Sequence, residues 1–330
     1  MKLQQRIEAM GLLGKYMMTG ANEWISAKER AAISNSWFIP EFIDIASRNI
    51  AEKFLDREEL IKWSKHYSLD DNISPKVVGI VMAGNIPMVG FHDLLATFIA
   101  GHYQAIKLSS KDDVLTKHLV EKLYEIDPEI RKYIRIEEVL KGSDAFIATG
   151  SNNSSRYFEQ YFGSYPNIIR RNKTSMAVLT GMESESELAA LSDDIHLYFG
   201  LGCRSVSSIL VPEGYDFIPL LNSFNRYEYF MDHHKYKSNY DYQLSLLLMN
   251  NLFYMTNGST LLRENDSPFS AISVVHYRHY KNQADLEEMT SSPDLQCVTG
   301  QGFLPFGSSQ EPGLFTYADG VDTMQFLLSL

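Results

Sequence analysis

The chain has 330 residues, 45% hydrophobic and 22% charged, with 41 Asp and Glu against 30 Lys and Arg and a formal net charge of −11. These are globular proportions over a length that implies roughly two domains, and 12% aromatics exclude a disordered chain. A pI near 5.3 excludes a general nucleic-acid backbone binder, and two cysteines, Cys203 and Cys297, exclude a disulfide framework.

Residues 1–18 carry charges throughout and lack the apolar core of a signal peptide. No run of about 18 apolar residues follows, so the expectation is a soluble, cytoplasmic protein without a membrane span. Up to about residue 70 the apolar spacing of three and four predicts helices over 22–47, broken near Pro40, and over 50–67. Trp24, Trp37 and Trp63 all fall here and are expected as core anchors. At Val77 the texture changes to short strands, the first of them free of charge, alternating with helices: strand 77–82, helix 89–101, strand 103–108, helix 112–126, strand 145–148, helix 154–162 and strand 177–179. That alternation predicts βαβ units and a parallel sheet. The second half opens with helix 185–198 and strand 208–211. A Tyr-, Asn- and His-rich stretch, 222–257, holds an apolar helix at 244–252, and a strand at 270–275 precedes a Gly/Pro-punctuated tail, 300–313. The two α/β halves are expected to divide near residue 175.

Cys203 lies in Phe199-Gly200-Leu201-Gly202-Cys203-Arg204-Ser205, where glycines let backbone approach a ligand. It reads either as a nucleophile, its thiolate favoured by Arg204 or a helix N-terminus, or as a small buried apolar residue. Asn85, just past the first strand, reads either as an oxyanion donor at the mouth of a parallel sheet or as an Asx-turn opening the next helix. Thr149-Gly150-Ser151 follows another strand and suits a phosphate cradle on a helix N-terminus, and Lys107 ends a third. The nine histidines show no metal-ligand spacing, so no metal is expected.

The order Gly84-Asn85-Ile86-Pro87, Gly101-His102-Tyr103-Gln104-Ala105-Ile106-Lys107, Ala148-Thr149-Gly150-Ser151 and Gly202-Cys203 resembles the aldehyde dehydrogenase superfamily. Within it the likeness is to the acyl-CoA reductases typified by the fatty-acid reductase of bacterial bioluminescence. It runs over residues 77–215 and extends to Tyr317-Ala318-Asp319-Gly320-Val321-Asp322-Thr323, which is similar to that subfamily's C-terminal signature. The resemblance implies an aldehyde-dehydrogenase-like α/β fold with two domains of mostly parallel sheets. Residues 1–175 would be N-terminal helices and an NAD(P)-binding domain, and 176–330 a catalytic domain with a C-terminal tail.

Carried over residue by residue, Cys203 is the acyl-accepting nucleophile and Asn85, with the Cys203 backbone N–H, the oxyanion hole. Lys107 holds the adenosine ribose or its 2′-phosphate, and Thr149, Gly150 and Ser151 line the cofactor's path. Two departures from the family matter. Acid-forming relatives carry a general-base glutamate; aligning its neighbouring lysine with Lys173 puts Ile169 there, and an isoleucine cannot activate water. Where NAD-preferring relatives often have a carboxylate, this chain reads Leu108-Ser109-Ser110-Lys111, so Ser110 and its neighbours favour NADPH. The implied activity is NADPH-dependent reduction of an acyl-CoA or acyl-carrier-protein thioester to the aldehyde, in a chain that can assemble with copies of itself. Two other readings stay open. One is an acyl-phosphate reductase using Arg170, Arg171 and Lys173 as a basic cluster; the other is a non-catalytic binding subunit.

Overall fold

A computed structural model describes residues 1–330. The chain forms two compact units, Met1–Asn172 with Pro312–Leu330, and Lys173–Glu311.

The first unit begins with α1 (Leu3–Met17), α2 (Asn22–Ser34), α3 (Pro40–Asn49) and α4 (Arg57–His66). The expected break at Pro40 is present, with the proline in the first turn of α3, where its missing N–H costs nothing. The helix expected over 50–67 is instead two pieces. A π-helical turn, Ile50–Phe54, continues α3, and Asp56 then caps α4 by accepting from the N–H groups of Glu58 and Glu59. Trp24 and Trp63 are buried as expected, whereas Trp37 is only half-buried.

The βα alternation follows: β1 (Val77–Val81), α5 (Phe91–Ile99), β2 (Tyr103–Lys107), α6 (Val114–Ile126), β3 (Ile134–Ile136), β4 (Ala145–Thr149), α7 (Asn152–Phe162) and β5 (Asn167–Arg170). All five strands are parallel, in the order β3-β2-β1-β4-β5. The three inner residues of β1 are buried, as a parallel sheet covered on both faces requires. Helix α5 is buried at eight of its nine positions, Asp93 and Thr97 among them, which explains why most of its residues are apolar.

The second unit runs β6 (Thr174–Val178), α8 (Glu185–His196), β7 (Val206–Pro212), α9 (Ile218–Ser223), α10 (His234–Met249), β8 (Met255–Thr256), β9 (Leu261–Glu264), β10 (Val274–Tyr280), α11 (Gln283–Thr290) and β11 (Leu295–Gly300). The sheet order is β11-β6-β7-β10-β9-β8, parallel except for β8 on β9. Its core gathers Leu191, Ile195, Ile209, Val211, Phe224 and Val275. The fold is therefore the expected α/β arrangement with mostly parallel sheets.

The chain then returns to the first unit through α12 (Thr323–Leu328). This corrects the assignment of the tail to the second half. Trp63 Nε1 donates to Tyr317 Oη at 2.9 Å, Tyr67 Oη to Asp322 Oδ2 at 2.5 Å, and Arg170 Nη2 to Thr323 Oγ1 at 2.9 Å. No helix is long and apolar enough to cross a membrane.

Candidate active site

In the first unit the site is built on the carboxyl edge of the sheet. Register places Lys107, Val81, Ala148 and Ile169 side by side across β2, β1, β4 and β5. Strand order reverses between β1 and β4, and open α/β sheets bind ligands in the crevice at that point. The loop after β1 carries Asn85, exposed, and the residue after β4 is Gly150. Two glycines there are sterically required. A Cβ on Gly84 would lie 2.6 Å from Ser109 Oγ, and one on Gly150 would lie 2.8 Å from the Phe158 ring and 2.9 Å from Ser154 Cβ. Ser151 caps α7 by accepting from Ser154 N–H at 3.3 Å, which sets the helix N-terminus on this edge. Lys107 is exposed at the end of β2, and Ser110 is exposed in the next loop. The structure thus gathers Asn85, Lys107, Ser110, Thr149, Gly150 and Ser151 on adjoining strand ends of one unit. A helix N-terminus and an exposed lysine suit a dinucleotide phosphate, whereas the two glycines make room for Ser109 and for the Phe158 ring.

Cys203 belongs to the second unit, in the turn that leads into β7. Three successive residues before it are left-handed: Tyr198, Phe199 and Gly200, at φ of 58°, 54° and 71°. For Tyr and Phe this conformation costs roughly 1–2 kcal/mol each. Phe199 is held there by the rings of Phe230, His233 and Tyr236, with centroids at 4.5, 4.7 and 5.6 Å. Behind the turn a cavity of about 30 Å³, lined by His196, Phe199, Gly200, Tyr236 and Thr260 among others, has room for about two waters and none for an acyl chain.

The carbonyl of Cys203 accepts from Ser175 Oγ at 3.0 Å, and Ser175 Oγ lies 3.0 Å from Cys297 Sγ. Sequence reasoning missed this partnership, because β11, which brings Cys297 beside Ser175, gave no strand signal. Arg204, expected to act on Cys203, bears on the Cys297 thiol, whose pKa burial raises while Ser175 and Arg204 pull it back.

Ile169 stands on β5 beside Ala148. The basic cluster expected from Arg170, Arg171 and Lys173 does not form. Arg170 is buried and donates to both oxygens of Asp93, at 2.5 and 2.9 Å, while Arg171 pairs with Glu159. A buried guanidinium whose two terminal nitrogens are bonded to Asp93 and Thr323 cannot serve an incoming acyl phosphate. No group of three or more His, Cys, Asp or Glu side chains comes together in metal-binding geometry.

No curated protein sequence matches the chain. Among solved structures it is similar to an E. coli NADP dependent enzyme (TM-score 0.66, 10% identity, covering 91% of this chain and 73% of that one). It is similar to HpcC from Thermus thermophilus (0.67, 12%, 91% and 70%), and to the aldehyde dehydrogenase KauB from Pseudomonas aeruginosa (0.65, 12%, 91% and 72%). At such identities the likeness establishes the aldehyde-dehydrogenase fold and nothing finer. The sequence pattern of the acyl-CoA reductase (LuxC) family, however, matches residues 44–218, more than half of the chain and the stretch that carries Asn85, Lys107, Thr149, Ile169 and Cys203. The chain belongs to the acyl-CoA reductase (LuxC) family, whose members are oxidoreductases acting on acyl and aldehyde groups.

Proposed function

We propose that this protein reduces an acyl thioester, acyl-CoA or an acyl-carrier-protein conjugate, to the aldehyde with NADPH through an acyl-Cys203 intermediate. The observation that carries the reading is Ile169 on the carboxyl edge of the first unit's sheet, at the position to which the sequence resemblance assigns the general base of acid-forming relatives.

Cys203 as thiolate attacks the thioester carbonyl, the Asn85 amide and the Cys203 backbone N–H stabilise the oxyanion, and the CoA thiolate leaves. Each donor of that kind is worth roughly 3 kcal/mol in acyl-transfer sites. Lys107 and Ser110 hold the adenosine ribose and its 2′-phosphate, and Thr149, Gly150 and Ser151 steer the pyrophosphate to the N-terminus of α7. Bound there, NADPH supplies the hydride that converts the acyl group to aldehyde. With an aliphatic side chain at position 169, no carboxylate activates water against the thioester. The intermediate therefore waits for hydride or thiol.

The test is mass spectrometry after incubation with acyl-CoA in the absence of cofactor. An acyl adduct is expected on Cys203 and none on Cys297, with turnover abolished in Cys203→Ala. An adduct confined to Cys297, or full turnover by Cys203→Ala, overturns the reading.

A further inference from the structure

Asp112 is buried beneath the Asn85 loop, in the turn that joins β2 to α6, and only 6% of its surface is exposed. Its Oδ2 accepts the backbone N–H of Met88 at 2.6 Å, while Oδ1 has no hydrogen-bond partner. Met88 needs that anchor. It is left-handed, at φ of 55°, and its carbonyl receives the first N–H of α5, from Phe91, at 3.0 Å. The same aspartate closes its own turn through its N–H to Ser109 O at 3.0 Å. The space that a side chain at Gly84 would need is filled by Ser109 and by Asp112 Cβ, which would stand 3.1 Å from a Cβ there. One residue therefore grips the loop that carries Asn85 from the loop that carries Ser109 and Ser110.

We propose that Asp112 is a positioning residue that fixes the Asn85 loop against the 107–110 loop through Met88, so that the oxyanion donor and the cofactor's ribose site are set in one geometry. The proposal rests on the reading of Asn85 and Ser110 given above. Burial pushes the Asp112 carboxyl up to about 8, so at neutral pH it is an uncharged acid. Because Oδ2 accepts, the proton resides on Oδ1, and asparagine reproduces that pattern with its carbonyl and amide. The charged groups around it are few. Residues 77–91, which include the loop above, carry no ionisable group before His92 and Asp93. On its own turn stand Lys107, Lys111 and Asp113, of which Asp113 acts on the carboxyl and pairs with Lys117.

The test compares Asp112→Asn and Asp112→Ala with wild type by steady-state reduction of dodecanoyl-CoA with NADPH, and by amide hydrogen exchange over residues 82–90. In Asp112→Ala the Met88 amide is expected to exchange at least tenfold faster, and kcat to fall about tenfold or more at little-changed KM for the thioester. Asp112→Asn should stay within about threefold of wild type in both. Unchanged exchange in Asp112→Ala, or equal losses in both variants, overturns the proposal. If Asp112→Ala does not fold, the comparison moves to pH: wild-type exchange over 82–90 should quicken more steeply than that of Asp112→Asn as the pH rises toward 8 and run parallel to it above, and profiles parallel throughout overturn the idea. Should wild type fail to reduce acyl-CoA, the functional reading fails while hydrogen exchange still decides the role of Asp112.

Discussion

At the scale of single residues, Ser175 separates the roles of the two cysteines. Its hydroxyl donates to the Cys203 carbonyl, so it accepts from the Cys297 thiol, and burial keeps that thiol protonated and able to donate. Cys297 is thus a hydrogen-bond donor in a sheet, while Cys203 follows a left-handed turn packed by aromatic rings and has its carbonyl held by Ser175. On the mechanism proposed above, Ile169 decides what becomes of an acyl group on that cysteine. A thiol ionises near roughly pH 8.5 and water does not, so CoA attacks the thioester without the base that water requires. With aldehyde and NADP⁺, free acid is therefore expected to form slowly, and added CoA to restore oxidation with acyl-CoA as the product. Chromatographic analysis of the products with and without CoA checks this. Rapid acid formation without CoA would show another base at work and would sink the assignment of Ile169.

At the scale of elements, Arg170 ties four of them together. From β5 it bonds both Asp93 oxygens on α5 and the Thr323 hydroxyl at the start of α12, and it reaches Thr149 Oγ1 on β4 at 3.4 Å. Breaking such a buried pair strands a charge, and Asp93→Ala should cost about 3–5 kcal/mol, read from denaturant midpoints. The double variant Asp93→Leu, Arg170→Met should recover much of that loss, because no charge is then left buried. A double variant no more stable than Asp93→Ala would contradict the argument. How far such elements can be read from sequence depends on where their stabilisation comes from. Strands β1, β2 and β4 have buried inner residues, so runs with no charge before their last residue announce them, and with them the positions of Asn85, Lys107 and Thr149 at or just past strand ends. Strand β3, Ile134-Arg135-Ile136, and β11, with Gln296 and Thr299, are made by pairing with neighbours distant in sequence and leave no local signal. Helix α10 is longer than its apolar stretch, because Tyr236, Tyr240 and Leu247 form the buried face and tyrosines read as polar. Strand β10 lies further on than expected for the same reason, its second half being Tyr277-Arg278-His279-Tyr280. Asp112 was hidden in plain view. As the first residue of an expected helix it resembled an ordinary acidic opening turn, and only the fold places Met88 above it.

At the scale of the whole molecule, the first unit is closed by a segment that arrives after the second has been made. His102 accepts Lys76 N–H at Nδ1, so its Nε2–H donates to Leu327 O, at 3.0 Å, and His92 Nε2 meets Leu314 O at 3.0 Å. Removing Pro312–Leu330 would take the two carbonyls from these histidines, Tyr317 from Trp63 Nε1 and Thr323 from Arg170. The second unit has its own liability. His196, fully enclosed, donates from Nδ1 to Ser192 O at 2.8 Å and accepts from Thr260 Oγ1 at Nε2, at 2.9 Å. Burial lowers its pKa to about 4. A folded pKa below the unfolded value of about 6.5 means that the neutral ring's contribution is complete above about pH 6.5 and is lost as the pH falls toward 4. The two units can be followed apart, because all three tryptophans, Trp24, Trp37 and Trp63, belong to the first. In urea at pH 7.5, deletion of residues 312–330 should move the tryptophan-fluorescence transition to lower denaturant. The part of the far-ultraviolet circular dichroism signal that fluorescence does not follow should stay in place. On acidification from pH 6.5 to 4, that second component should weaken in the full chain, and His196→Gln, which cannot take up the proton, should flatten its pH dependence at some cost in baseline stability. A deletion that shifts both signals equally would show that the tail supports the two units alike. An acid profile unchanged by His196→Gln would move the cause to another group.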